Sequence, residues 1–206
     1  MPGPVTISAA VEGHLDEAVA RKLIQAVGAE PGTVYGKRGK HGLKQKIGAY
    51  NNAARHGPWL VLVDLDHDAD CAPPIRDCWV PEPSRYLCFR VVVREIESWL
   101  LADREQLAKF LGVRPQKISD RPEVLDDPKT ALIELARKSC RRDIRQDLVP
   151  RPGSDRSVGP AYSSRLTEFV EKNWRPEVAA HWADSLNRAM RCLRRLMEGS
   201  LDPQRM

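Results

Sequence analysis

Two almost continuous apolar runs, Trp59 to Leu65 and Tyr86 to Val93, most constrain what this chain can fold into. Such runs are typical of strands buried on both faces, as in parallel sheets. Another β-rich segment, Val5 to Val11, comes earlier, and apolar residues recur at helical spacing in 15–27 and 43–55. Strands and helices therefore alternate, which predicts an α/β fold with a mostly parallel sheet.

This alternation continues to residue 112, and the character of the chain changes after Arg114 and Pro115. We predict a Rossmann-like core in 1–112, with about four strands flanked by helices, and a helical extension in 113–206 that packs on it. Local patterns predict a loop at 36–42, an irregular crossover at 67–85, and a helix after the last strand at 95–102. Further helices are predicted at 128–138, 166–173, 176–183 and 185–197.

Composition limits the class of protein. The chain has 206 residues and a net charge of +5, which favours a polyanionic partner only weakly. No apolar run approaches the ~20 residues that span a bilayer, and the N-terminus lacks the basic start of a signal peptide. The odd count of five Cys, without framework spacing, indicates reduced thiols. We therefore expect a cytoplasmic protein without a membrane partner, which could form a homo-oligomer.

Two acidic segments follow predicted strands. Glu12 and Asp16 come after the first strand, and Asp64 and Asp66 come at the end of the strand that begins at Trp59. Ligand sites of parallel α/β sheets form at the carboxyl ends of the strands. Clustered carboxylates repel unless a proton or cation intervenes, and Mg²⁺ and Mn²⁺ prefer oxygen ligands. The pattern predicts a site for one or two such ions, the alternatives being an acidic helix start and a solvated loop.

Further residues could support this chemistry. Asp68 continues the acidic run, and Glu95 and Glu97 open the helix after the last predicted strand. Glu97 or Glu95 could act as a general base or complete a metal shell, and Lys129 could stabilise a phosphate charge. Ordinary helix-terminal charges remain the alternative for all three.

A basic, Gly-rich stretch could contact nucleic acid. It lacks the Gly-x-x-x-x-Gly-Lys-Ser/Thr pattern of P-loop ATPases, and a solvated loop is the alternative. The spacing of His67, Cys71 and Cys78 matches no standard zinc finger. The cations predicted to bind a phosphate backbone are Lys37, Arg38, Lys40 and Lys44.

Together these residues resemble the Toprim domain, in which a Glu ends the first strand and an Asp-x-Asp ends a later one. Here Glu12 and Asp64-Leu65-Asp66 match that pattern. The segment Arg94 to Asp103 (Arg-Glu-Ile-Glu-Ser-Trp-Leu-Leu-Ala-Asp) and the stretch Val158 to Tyr162 are similar to the DUF4276 family of small prokaryotic proteins. That family is similar to the Toprim nuclease part of OLD (overcoming lysogenisation defect) proteins.

The resemblance implies a metal-dependent nuclease that works beside a separately encoded ATPase in anti-phage defence. It assigns metal ligands to Glu12 with Asp16 and to Asp64 with Asp66, and a catalytic lysine after the sheet, for which Lys129 is the candidate. Two other functions stay open: a non-catalytic Toprim scaffold that binds nucleic acid or a partner, and phosphoryl transfer on a small nucleotide.

Overall fold

The computed structural model describes residues 4–200. These residues form two compact units, one built from the chain up to Val93 together with the segment from Ser185 onwards, and one from Arg94 to Asp184. The chain therefore divides at the end of the last strand, whereas the sequence pattern places the change of character after residue 112.

A four-stranded parallel sheet forms the first unit. Its strands are β1 (Thr6–Val11), β2 (Glu30–Gly36), β3 (Trp59–Asp64) and β4 (Leu87–Val92), in the order β2-β1-β3-β4. The connecting helices are α1 (His14–Ala26), α2 (Gly39–Ala53) and α3 (Ala72–Trp79), and the last helix is α10 (Asp184–Ser200). The predicted α/β class with a parallel sheet is confirmed.

Alternation along the strands separates two buried faces. Val61 and Val63 of β3 pack in one core with α2 and α3, through Leu43, Ile47 and Ile75. Leu60 and Leu62 point to the opposite face, where they are fully buried. Both faces of the sheet are thus apolar, which explains why its central strands read as unbroken apolar runs.

The second unit is helical. It contains α4 (Ile96–Ala102), α5 (Arg104–Leu111), α6 (Pro128–Arg137), α7 (Arg142–Leu148), α8 (Tyr162–Lys172) and α9 (Pro176–Ala179), with 3₁₀ turns at Pro115–Lys117 and Pro122–Val124. Trp99 and Trp174 are buried, and Nε1 of Trp174 donates a hydrogen bond to the carbonyl oxygen of Trp99 at 3.2 Å. Within residues 4–200, no helix has the length and apolar character needed to cross a membrane.

Several predicted local boundaries are wrong. Helix α2 begins at Gly39, so more than half of the predicted 36–42 loop is helical, and the predicted crossover at 67–85 contains α3. Helix α8 begins at Tyr162, before the predicted start, and α9 ends at Ala179. The prolines of 67–85 suggest a break in regular structure, but Pro73 and Pro74 lie in the first turn of α3, where proline is tolerated.

Candidate functional site

The carboxyl ends of the parallel strands carry the polar residues of the first unit. Strand β1 ends at Val11 and β3 ends at Asp64, so Glu12 and Asp64 occupy the same edge of the sheet. Three residues next to strand ends, Lys37, Asp66 and Arg94, have φ angles of 64°, 49° and 59°. Non-glycine residues in this left-handed region are uncommon and concentrate at functional sites.

Glu12 is fixed at the centre of this edge. The backbone N–H of Asp64 donates a hydrogen bond to its Oε1 at 2.8 Å, and its carbonyl oxygen accepts one from the N–H of Gly39 at 3.0 Å. Burial raises the pKa of Glu12 to about 7, and the negative charges of Asp16 and Asp66 contribute to this rise. The hydrogen bond from Asp64 and the charge of Lys40 oppose the rise only in part.

Asp16 approaches Glu12 from the first turn of α1. The residue is buried, with 8% exposed, although aspartate is rarely buried in proteins. Gly13 provides the space, because a Cβ atom at that position would lie 3.0 Å from Oδ2 of Asp16. The acidic segment of the sequence is therefore shaped so that Asp16 points inward, while Glu17 beside it forms ion pairs with Arg21 and Lys37, each at 2.9 Å.

Lys40 neutralises the other side of the acidic edge. Its Nζ lies 2.9 Å from Oδ2 of Asp66 and 2.7 Å from Oδ2 of Asp68, and it donates to the carbonyl oxygen of Leu65 at 3.3 Å. Burial lowers the pKa of Lys40, but the hydrogen bonds to Asp68 and Asp66 outweigh it and raise the pKa. The sequence predicts that Lys40 contacts nucleic acid, and the structure places it in α2, paired with these carboxylates.

The other three residues predicted to contact nucleic acid, Lys37, Lys44 and Arg38, differ in what their side chains contact. Lys37 is held by the ion pair with Glu17. Lys44 lies with its Nζ 5.5 Å from the ring centroid of Trp79, in cation–π geometry. Arg38 is exposed, so it is the residue of this set with the most direct access to a ligand from solvent.

The second unit contains its own acid–base cluster. Nζ of Lys129 lies 2.7 Å from Oε1 of Glu95 and 3.9 Å from Oε1 of Glu97, and the backbone N–H of Lys129 donates to Oε2 of Glu95 at 3.0 Å. Only 2% of Glu97 is exposed. Burial raises the pKa of Glu97 to about 7, Lys129 opposes the rise, and Glu95 adds to it.

Tyr162 completes this cluster and is not among the predicted site residues. Its hydroxyl donates a hydrogen bond to Oε1 of Glu97 at 3.0 Å, and burial together with Glu97 raises the pKa of Tyr162 well above its ordinary value. The sequence contains one signal, since Tyr162 ends the stretch that carries the family resemblance. The contact itself could not be found there, because it joins α4 to α8.

The donor chemistry of the acidic edge suits a hard divalent cation. Glu12, Asp16 and Asp66 offer only oxygen, and their mutual repulsion favours a neutralising charge. Within residues 4–200, no three His, Cys, Asp or Glu side chains are grouped as a metal site, and Asp66 and Asp68 instead close on Lys40. The residue types fit Mg²⁺ or Mn²⁺, although Asp66 is paired with Lys40 in this structure.

Comparisons of the chain with protein-family models, with curated proteins and with solved structures gave no match.

Proposed function

We propose that this protein hydrolyses phosphodiester bonds of nucleic acid with one or two Mg²⁺ or Mn²⁺ ions. The observation that carries the proposal is the position of Glu12, held by the Asp64 amide next to Asp16 and Asp66 at the carboxyl edge of a parallel sheet. That edge is where α/β folds bind ligands, and a half-buried carboxyl beside two other carboxylates favours a proton or a cation.

Four carboxylates are the proposed ligands: Glu12, Asp16, Asp64 and Asp66. A bound divalent ion would supply Lewis-acid activation of the scissile phosphate and lower the pKa of an attacking water. The protein orients these groups, since the Asp64 amide fixes Glu12 and the helical first turn fixes Asp16. Lys40 offsets part of the negative charge of Asp66 and Asp68.

Within the second unit, Glu97 and Lys129 are proposed to form an acid–base pair of their own. A buried carboxyl with a pKa of about 7 can exchange protons near neutral pH, which suits general acid–base catalysis. The ammonium of Lys129 and the hydroxyl of Tyr162 both contact Glu97 and stabilise its charged form. Glu95 positions Lys129 through two contacts.

The resemblance to OLD-type nucleases adds context to the proposal. It favours action in the cytoplasm, together with a separately encoded ATPase, as the effector of an anti-phage system. Assays should therefore include the protein alone and the protein with any ATPase encoded beside it.

A metal-dependent cleavage assay tests the proposal. Plasmid and single-stranded substrates are incubated with Mn²⁺, Mg²⁺ or EDTA, and nicking is followed on gels. We expect cleavage with Mn²⁺ that Asp64→Ala and Glu12→Gln abolish. The matched control is Asp70→Asn, because Asp70 is an exposed acid in the loop after the same strand. Equal cleavage by wild type and Asp64→Ala would refute the assignment.

A non-catalytic binding module is the second candidate. The ion pairs of Lys40 with Asp66 and Asp68 favour it, because both carboxylates already have a positive partner without a metal. This function predicts salt-sensitive binding of nucleic acid or a partner protein with no turnover under any metal condition. It also predicts that binding is indifferent to Asp66→Ala.

A further inference from the structure

An arginine-lined groove lies in the second unit. Its cavity of about 780 Å³ is bordered by four arginines: Arg137, Arg142, Arg145 and Arg151. A further cavity of about 280 Å³ shares Arg151 with it and is also lined by Arg156. We call these two cavities together the arginine groove.

The charge of the arginine groove is strongly positive. Asp147 is the acid that lines it, and Oδ2 of Asp147 already accepts a hydrogen bond from Nε of Arg165 at 2.7 Å. Among the residues that the structure describes, the side chains of Arg142, Arg151 and Arg156 have no ion-pair or hydrogen-bond partner. The groove therefore presents three guanidinium groups without counter-charges, whereas Arg137 at its border is paired with Glu134.

The wall of the groove is anchored at both ends. The chain leaves α7 at Val149, and the N–H of Gly159 returns to the carbonyl oxygen of Leu148 at 3.0 Å. A Cβ atom at Gly159 would overlap the backbone of Asp147 and Leu148, so this close return requires glycine. The loop that carries Arg151 and Arg156 is thus closed at its two ends against the end of α7, while its residues 151–157 are exposed.

Between the arginines the groove is apolar, since Val149, Pro150 and Pro160 also line it. A ligand that matches both features has several negative charges and flat apolar groups beside them. Single-stranded nucleic acid has this chemistry, because its phosphates suit arginine and its unpaired bases can pack on apolar side chains and guanidinium planes. A duplex presents the same phosphates but keeps its bases stacked inside.

We propose that the arginine groove binds single-stranded nucleic acid, with its phosphates on Arg142, Arg151 and Arg156 and its bases on the proline-lined floor. That the ligand is a nucleic acid rests on the proposed function. That it is single-stranded rests on the lining of the groove. It requires no metal, so binding and cleavage can fail independently.

The test measures binding in EDTA by fluorescence anisotropy, with labelled oligomers of about 15 nucleotides of DNA and RNA and the corresponding duplex. The test variant is Arg142→Gln/Arg151→Gln in the full chain. The matched control is Arg114→Gln/Arg121→Gln, which removes the same charge from exposed arginines of the second unit that do not line the groove. Thermal melts of all variants verify folding.

We expect the groove variant to bind single strands about tenfold more weakly, and its log–log salt slope to fall by about 1.4, at roughly 0.7 per lost phosphate contact. The control should bind like wild type. Equal weakening in both variants would show that the groove is not the binding site. Tighter binding of the duplex than of the single strands would contradict the proposed preference for single-stranded nucleic acid. A loss of binding by the groove variant with cleavage absent in every protein would support the groove while refuting the nuclease.

Discussion

The N–H of Asp64 donates a 2.8 Å hydrogen bond to Oε1 of Glu12, and this contact joins the ends of β1 and β3. It holds a half-buried carboxyl in a place where Asp16 and Asp66 disfavour its charge. Such an arrangement costs stability, and proteins retain unfavourable charges mainly where function uses them.

Replacement of Glu12 by glutamine separates stability from function. In Glu12→Gln the amide side chain keeps an oxygen that can accept the Asp64 N–H, while the charge repelled by Asp16 and Asp66 disappears. We expect the melting temperature at about pH 8 to stay equal or rise by a few degrees, whereas Mn²⁺-dependent cleavage is lost. Differential scanning calorimetry and the nicking assay measure the two effects. A marked fall in melting temperature would show that the carboxylate itself stabilises the fold.

Lys40 is predicted to compete with a divalent ion. Its Nζ contacts both Asp66 and Asp68, so the ammonium must be displaced before Asp66 can bind a metal. We expect Lys40→Met to bind Mn²⁺ roughly tenfold more tightly than wild type in isothermal titration calorimetry, because a close positive charge is removed. Lys46→Met is the control, since Lys46 is an exposed lysine of the same helix. Weaker Mn²⁺ binding by Lys40→Met would exclude this competition.

Glu97 should make folding stability depend on pH. Its folded pKa of about 7 lies above its ordinary value of 4.5. Its contribution is therefore fully present below about pH 4.5 and is lost as the pH rises through 7. The loss should approach about 3 kcal/mol, and Glu97→Gln should abolish it while the glutamine oxygen still accepts from Tyr162.

Urea unfolding at about pH 5 and about pH 8 measures this effect. Other groups titrate over the same range, so the relevant quantity is the difference between wild type and variant at each pH. Glu177→Gln is the control, because Glu177 is exposed in the same unit. If Glu97→Gln and wild type respond to pH in parallel, Glu97 is already ionised in the folded protein.

Much of the fold could be predicted because its signals are local. The runs from Trp59 and Tyr86 are apolar because both sheet faces are covered, and a parallel sheet necessarily brings the ends of β1 and β3 to one edge. The short helices α3 and α7 are not evident from the sequence because each has only a turn or two of apolar spacing. Their stability comes from packing, which the local sequence does not record.

The site was harder to predict because its decisive contacts join distant segments. The local sequence indicates that Lys40 is a loop cation, and only the structure shows it between Asp66 and Asp68. The arginines of the groove all lie within residues 137–156, in α6, α7 and the loop after α7. The sequence shows that this stretch is basic, but it does not show that these side chains line one cavity.

An ion pair between a buried carboxylate and a partly exposed arginine should contribute to the stability of the second unit. Asp103 is fully buried. Arg175 donates three hydrogen bonds to its carboxylate, from the backbone N–H at 3.0 Å, from Nε at 3.1 Å and from Nη2 at 2.7 Å. Arg175→Met leaves this carboxylate buried without its guanidinium, which should cost about 2 kcal/mol in urea unfolding, since the backbone N–H still donates to it. Lys172→Met, which breaks an exposed pair with Glu168, should change stability little. Equal effects of the two variants would contradict the prediction.

The reactivity of Cys192 should depend on Cys88, its neighbour in strand β4. Cys88 in β4 is fully buried, and its hydrogen bond to Cys192 is the main cause that lowers the pKa of Cys192 to about 7. Burial opposes this fall, and the charges of Arg90 and Arg195 add to it. Because the thiolate is the nucleophile, Cys192 should react with iodoacetamide in a pH profile centred near 7.

Cys88→Ala removes the hydrogen bond and should move the Cys192 profile upward by about one pH unit. Peptide mass spectrometry after timed alkylation gives the rate at each cysteine separately. Cys140, an exposed cysteine of the second unit, serves as the internal reference, and its rate should be the same in both proteins. A Cys192 profile that is unchanged in Cys88→Ala would assign the lowered pKa to Arg90 and Arg195 instead, and Arg195→Gln would then produce the shift.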